Sequence, residues 1–96
     1  MSRKAYQQKA EAKLAEQRAE IDKASARAKG ASADARLEAE DQLEKLEARY
    51  TAAKAKLEAL KQAGEDSWED IARGLDDAWE DLSGSVKRAL ERFKRA

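Results

Sequence analysis

The chain is 96 residues long and carries 20 basic and 20 acidic side chains, so its formal net charge is zero. A chain of this length forms one domain and buries only about 60 to 65% of the surface that its unfolded form exposes. Balanced charge gives no long-range attraction to polyanions, so we expect no nucleic-acid partner. The chain has no His and no Cys, and we therefore expect no enzyme activity, no cofactor and no metal site.

Alanine dominates the apolar residues, with 22 Ala against 9 Leu, and the chain contains no Pro. Alanine is the best helix former, and without Pro no position excludes a helix. Buried Ala contributes little apolar area, so any core is thin. The composition therefore predicts an all-α coiled-coil protein with a single domain over residues 1–96.

The first residues lead into charged positions rather than into an apolar segment, and no stretch approaches 18 uncharged apolar residues. We therefore expect neither a signal peptide nor a transmembrane helix. The lack of Cys suits a reducing compartment, and we expect a cytoplasmic protein.

Residues at steps of three and four form a seam along the first two thirds of the chain, the pattern of a coiled coil, with successive steps of four from Ala35 to Ala39 to Leu43. Between positions 39 and 60 most seam residues are large, whereas upstream many of them are Ala. The seam positions are Ala10, Leu14, Gln17, Ile21, Ala24, Ala28, Ala31, Ala35, Ala39, Leu43, Leu46, Tyr50, Ala53, Leu57 and Leu60. Because the spacing continues past Gly30, we predict one long helix over residues 3–62. The alternative is a break near Gly30, with Ser32 as a new N-cap.

A clearer break follows at residues 63–67. Gly64 suits a helix end, and Asp66 or Ser67 suits the N-cap of a second helix over residues 68–95, softened at 83–85. An 11-residue repeat then places Trp68 and Trp79 on one apolar face. The other positions of this face are Ile71, Ala72, Leu75, Ala78, Leu82, Val86, Ala89, Leu90 and Phe93.

Charge favours an antiparallel return of the second helix along the first. Residues 65–84 hold eight acids and one base, whereas residues 85–96 hold five bases and one acid. Folding back at Gly64 lays the acidic part beside a basic stretch and the basic tail beside an acidic one, and each exposed pair contributes about 0.2 to 1 kcal/mol. We predict a coiled-coil helical hairpin, a long N-terminal helix with a shorter antiparallel C-terminal helix. A three-helix bundle broken near Gly30 satisfies the charges as well.

In the hairpin, the Ala-rich seam before residue 39 extends beyond the reach of the returning helix. We therefore expect self-association or another helical protein as the partner. The tryptophans either fill the core or grip that partner.

The C-terminal tail combines an apolar stripe with a basic rim, as do helices that lie on membrane surfaces. A weak contact with an anionic membrane is therefore a further possibility, although the same bases can simply pair with Asp34, Glu38, Glu40 and Asp41. The candidate interaction surface comprises Trp68, Trp79, Val86, Lys87, Arg88, Leu90, Arg92, Phe93, Lys94 and Arg95.

Two blocks, Gly64 to Ile71 and Asp77 to Leu82, share a Trp-Glu-Asp-aliphatic pattern. Three further segments contribute to the resemblance described next: Lys29 to Leu37, Leu43 to Leu46 and Ala53 to Leu60. With these segments the chain resembles a family of small bacterial, cyanobacterial-type coiled-coil proteins that are labelled as stress-response proteins. The family usually has a helix former at the position of Gly30, which implies an unbroken first helix. Because the family has no established biochemical activity, the resemblance implies a stress-response role but no site residue.

These observations favour a non-enzymatic, cytoplasmic coiled-coil protein with a structural or protein-interaction role. One alternative is peripheral binding to membrane surfaces through the basic amphipathic C-terminal helix. Another is a helical protectant that is loosely folded when dilute and orders on drying.

Overall fold

The computed structural model of the protein describes residues 2–94. Three α-helices account for nearly all of this range: α1 over Arg3–Lys29, α2 over Ala33–Gln62 and α3 over Trp68–Lys94. Between residues 2 and 94 there is no β-strand. The prediction of an all-α protein is therefore confirmed.

The turn between α1 and α2 corrects the prediction of one continuous helix over residues 3–62. α1 ends at Lys29, and the hydroxyl oxygen of Ser32 accepts a hydrogen bond from the amide of Ala35 at 3.4 Å. An N-cap of this kind contributes about 0.5 to 2 kcal/mol, whereas Gly30 inside a helix would cost about 1 kcal/mol. Together these two effects explain why the chain turns here even though the seam spacing continues.

The turn between α2 and α3 occupies residues 63–67. Ala63 is extended, with φ −73° and ψ 150°, and the amides of Ser67 and Trp68 donate to the carbonyl oxygen of Gly64, both at 3.2 Å. No glycine within residues 2–94 has a positive φ, so Gly64 does not act as a left-handed helix cap. Beyond this turn α3 continues through residues 83–85 without the softening that the sequence suggested.

Each helix packs against the other two. Near one end, the Arg3 guanidinium donates to the carbonyl oxygen of Leu60 at 2.7 Å and the Tyr6 hydroxyl donates to that of Ala72 at 2.8 Å. These pairs make α1 antiparallel to α2 and parallel to α3. The Arg49–Asp81 ion pair, at 3.2 Å, joins the antiparallel helices α2 and α3. The molecule is elongated, with extents of 51 × 18 × 15 Å.

The core lies along the shared axis of the three helices and coincides with the seams that the sequence predicts. In α1 every buried residue is a seam position, and most of them are Ala. The largest fully buried side chains are Ile21, Leu46, Leu60, Leu75 and Leu82. Ser85 is the buried polar residue of the described range, and Leu37 is an exposed large hydrophobic residue.

We predict that Leu60→Ala lowers the free energy of unfolding by about 2 to 5 kcal/mol, because truncating a fully buried Leu leaves a cavity. Leu37→Ala is the matched control: its side chain is 69% exposed, so we expect a change within about 0.5 kcal/mol. Urea unfolding followed by circular dichroism measures both. Equal effects of the two substitutions would contradict the assigned core.

Candidate functional site

The nine described residues of the candidate interaction surface do not lie on one surface. Val86 and Phe93 are buried, with 2% and 7% of their surface exposed, and Leu90 is half-buried against the core. Trp68 and Trp79 are half-buried. The basic residues Lys87, Arg88, Arg92 and Lys94 are exposed. Arg95 lies outside the described residues.

The burial of Val86 and Phe93 bears on the alternative of membrane binding, because their side chains are not free to enter a bilayer in this fold. The stripe faces α1 and α2 instead, and the Arg27 guanidinium fixes its end by donating to the carbonyl oxygen of Leu90 at 3.1 Å. An interfacial helix needs its apolar face free to enter the headgroup region. Among residues 85–94 the exposed side chains are all charged: Lys87, Arg88, Glu91, Arg92 and Lys94.

The charged rim is partly paired within the chain. Arg92 forms an ion pair with Glu38, one of the acids that the sequence offered for this role. Arg88 donates to the hydroxyl oxygen of the buried Ser85 at 3.2 Å. Such exposed pairs contribute only about 0.2 to 1 kcal/mol each. They therefore help to select the register of α3 and add little to the free energy of folding.

A concave surface between α1 and α3 forms a groove of about 450 Å³. Small-molecule and side-chain pockets begin at about 300 Å³, so the groove is large enough to receive a ligand group. Its apolar wall is formed by Tyr6, Ala10, Leu14, Leu75 and Trp79, and its rim by Lys9, Lys13, Asp76 and Glu80. Spacings of three and four place the lining residues on one face of each helix.

Tyr6 joins the two walls of the groove. Its hydroxyl donates to the carbonyl oxygen of Ala72 at 2.8 Å and to Asp76 Oδ1 at 2.6 Å. Its ring packs against Trp68 with a centroid distance of 6.3 Å. Burial, followed by the nearby Asp76 carboxylate, raises the pKa of Tyr6 above its usual range. The hydroxyl therefore remains protonated and acts as a structural donor.

Trp79 lies in the apolar wall of the groove, and its indole N–H has no hydrogen-bond partner among residues 2–94. The Lys13 ammonium lies over its ring, 4.4 Å from the centroid, which is a cation–π contact. The indole Nε1 is buried and has no hydrogen-bond partner within the described residues, and the same holds for Gln17 Oε1 on α1. A buried polar atom without a partner costs about 1 to 3 kcal/mol. Trp79 therefore lines the groove and carries a buried donor that is unpaired within the described residues.

Sequence reasoning missed the α1 side of this groove. The predicted hairpin leaves the N-terminal part of the first helix without a neighbouring helix, whereas in the structure Trp68 contacts Tyr6 and Trp79 contacts Lys13, both on α1. A signal was present, because Tyr6 continues the spacing of Ala10 and Leu14. In the predicted hairpin Tyr6 has no neighbouring helix, so this spacing alone does not indicate a groove.

Within residues 2–94 no group of three or more His, Cys, Asp or Glu side chains is arranged to hold a metal ion. In the same range no helix combines the length and the apolar character needed to cross a bilayer. The acids of α3 lie along its exposed side, and one of them, Asp81, pairs with Arg49 of α2.

Comparison of the chain with protein-family models, with curated proteins and with solved structures finds no match. A function must therefore be argued from the geometry of the site itself. The groove at Trp79 and the exposed bases of α3 are the two features that such an argument can use.

We predict that Tyr6→Phe lowers the free energy of unfolding by about 1 to 3 kcal/mol, because it leaves the Ala72 carbonyl and the Asp76 carboxylate without their shared donor. Tyr50→Phe is the control, since the Tyr50 ring keeps its packing under the Arg18 guanidinium, 5.0 Å away. Thermal or urea unfolding compares the two variants.

The raised pKa of Tyr6 adds a pH dependence with a defined sign. The stabilisation from this hydroxyl is complete below the ordinary tyrosine pKa of 10.0 and declines above it, because the unfolded chain then loses the proton that the folded chain retains. The difference in stability between the wild type and Tyr6→Phe should therefore shrink above that pH. A constant difference would contradict the assignment.

Proposed function

We propose that this protein is a non-enzymatic, cytoplasmic structural or protein-interaction protein, folded as a three-helix bundle, that binds a helical partner through the groove between α1 and α3. The observation that carries the proposal is Trp79: a half-buried indole with an unpaired N–H, set in a groove of about 450 Å³. Tryptophan is among the residues most enriched at the energetic centres of protein interfaces.

The chemistry of the groove favours a protein partner. Its wall offers aromatic and aliphatic surface for one apolar side chain, and its rim carries two bases on α1 and two acids on α3. A partner helix that presents an apolar residue between charges of both signs matches this surface on both edges. An acceptor on the partner would also satisfy the Trp79 N–H once the flexible Lys13 side chain moves aside.

A stress-response role belongs to the proposal as well, supported by the resemblance of the two Trp-Glu-Asp-aliphatic blocks to the bacterial coiled-coil family described above. It specifies when the interaction is needed and leaves its chemistry unchanged. Growth with and without stress is therefore one variable of the experiment below.

A photo-crosslinking residue tests the proposal in the cells that produce the protein. Placed at Lys9, on the rim of the groove, it should give discrete protein adducts, and placed at Lys54, an exposed position on α2, it should not. Trp79→Ala, checked for retained helix by circular dichroism, should weaken binding by at least about 2 kcal/mol and remove the Lys9 adducts.

Mass spectrometry then identifies the crosslinked protein, and an adduct with the chain itself identifies self-association. The same adducts from Lys9 and Lys54, or none from either position under all growth conditions, would contradict the proposed groove.

A second candidate is a weak peripheral contact with anionic membranes, supported by the exposed bases Lys87 and Lys94, seven residues apart on one face of α3. Glu91 lies between them on that face and offsets part of their charge. Each base near an anionic surface contributes about 1 kcal/mol, so this contact is weak and sensitive to salt.

We predict that Lys87→Gln with Lys94→Gln abolishes cosedimentation with phosphatidylserine vesicles at low salt, because it removes about 2 kcal/mol of attraction. The control is Lys54→Gln with Lys56→Gln on α2, which makes the same change in net charge and should leave binding intact. Equal loss in both double variants would indicate a general charge effect and no specific surface.

A further inference from the structure

The turn between α1 and α2 is a hinge that lies close to a helical conformation. Gly30, with φ −87° and ψ −2°, is already in the right-handed helical region. Ser32 has φ −61° and ψ 164°, so only its ψ differs strongly from the helical value. Rotation about the ψ of Ser32 is therefore one change that joining the two helices requires.

The turn also leaves the spacing of the seam intact. Ala28, Ala31 and Ala35 follow in steps of three and four, and Ala39 comes four residues later. If residues 30–32 became helical, these small side chains would remain on one face, as a helix that packs along its whole length requires. Both features of the hinge, its dihedral angles and its spacing, are therefore compatible with a straight helix.

We propose that the hinge opens, that residues 3–62 then form one continuous helix, and that α1 packs against α2 and α3 of a second copy in a domain-swapped dimer. The inference goes beyond the proposed function, because the second copy exchanges α1 within the core and does not occupy the groove between α1 and α3.

The exchange preserves the contacts between helices. The Arg18–Glu47 ion pair, the Tyr6 hydrogen bond to Ala72 and the Arg27 hydrogen bond to Leu90 would each form again, now between copies. The closed turn alone is lost, and the helix gained in its place offsets part of that loss. Swaps of this kind are a low-cost route to a dimer, and mass action favours them at high concentration.

Two substitutions at the hinge should act in opposite directions. Ala33 is the first residue of α2 and follows the extended Ser32, which is the backbone that a proline prefers before it. Ala33→Pro therefore suits the closed turn but would break a continuous helix. Gly30→Ala with Ser32→Ala removes the N-cap and raises helix propensity, and a Cβ at Gly30 meets its nearest atom at 3.6 Å.

Sedimentation velocity of the purified full chain, from micromolar to millimolar concentration, tests the hinge. The wild type should form dimer at the upper end, Gly30→Ala with Ser32→Ala should do so at a concentration lower by about tenfold or more, and Ala33→Pro should stay monomeric. Gly64→Ala, in the other turn and with open space for its Cβ, is the matched control and should behave as the wild type.

A distance measurement distinguishes the swap from a side-by-side dimer. The chain has no native Cys, so labels at Ala19→Cys and Ala48→Cys report only on these positions, which flank the Arg18–Glu47 pair. With the doubly labelled dimer assembled in an excess of unlabelled protein, the distance within a labelled chain should lengthen to about 44 Å, the rise of 29 residues of continuous helix. A short distance in every dimer would overturn the swap.

The inference fails if the Gly30→Ala with Ser32→Ala variant remains monomeric throughout, or if Ala33→Pro dimerises as readily as the wild type. Neither result affects crosslinking at Lys9 to a different protein. The loss of Lys9 adducts, conversely, leaves the hinge measurements standing. Failure of the swap and failure of the proposed groove are therefore separable.

Discussion

The fold depends on how the alanine-rich buried face of α1 packs against the other two helices. The buried residues of α1 are Ala10, Leu14, Ile21, Ala24 and Ala28, and the three alanines among them offer little area to any one neighbour. Contact with α2 on one side and α3 on the other lets each small side chain be covered from two directions. Small residues also allow helix backbones to approach closely, so dispersion replaces part of the missing hydrophobic area. Every later feature, including the groove at Trp79, follows from this double coverage.

Charge acts on this framework as a selector. Arg49–Asp81 and the Arg92–Glu38 pair join α2 to α3, and Arg18–Glu47 joins α1 to α2 with a bidentate geometry at 2.6 and 2.8 Å. The Arg18 guanidinium holds the pKa of the Glu47 carboxyl below its usual range, so the pair persists to a lower pH than an unpaired glutamate would allow. Each of these pairs is weak. Together they favour the observed register over others, because the apolar seams of the three helices are too similar to select one register alone.

Much of the fold could be predicted from spacing alone, because a helical seam is a local property of the sequence. The buried faces of all three helices fall on the predicted positions, Leu14, Leu46 and Leu82 among them. The turn at Gly30 could not be decided from the sequence, since two local effects of about 1 kcal/mol each opposed an uninterrupted spacing. The groove could not be predicted either, because it depends on a parallel contact between α1 and α3 that a single chain makes only when that turn is formed.

The absence of proline and cysteine and the backbone of the two short turns bear on how the chain recovers from denaturation. It has no proline to isomerise slowly and no cysteine to mispair. No residue within positions 2–94 adopts a positive φ, so neither turn requires the left-handed backbone conformation. Helices joined by brief connections also find their neighbours over short loops. Refolding after heat or desiccation therefore requires neither proline isomerisation nor disulfide exchange.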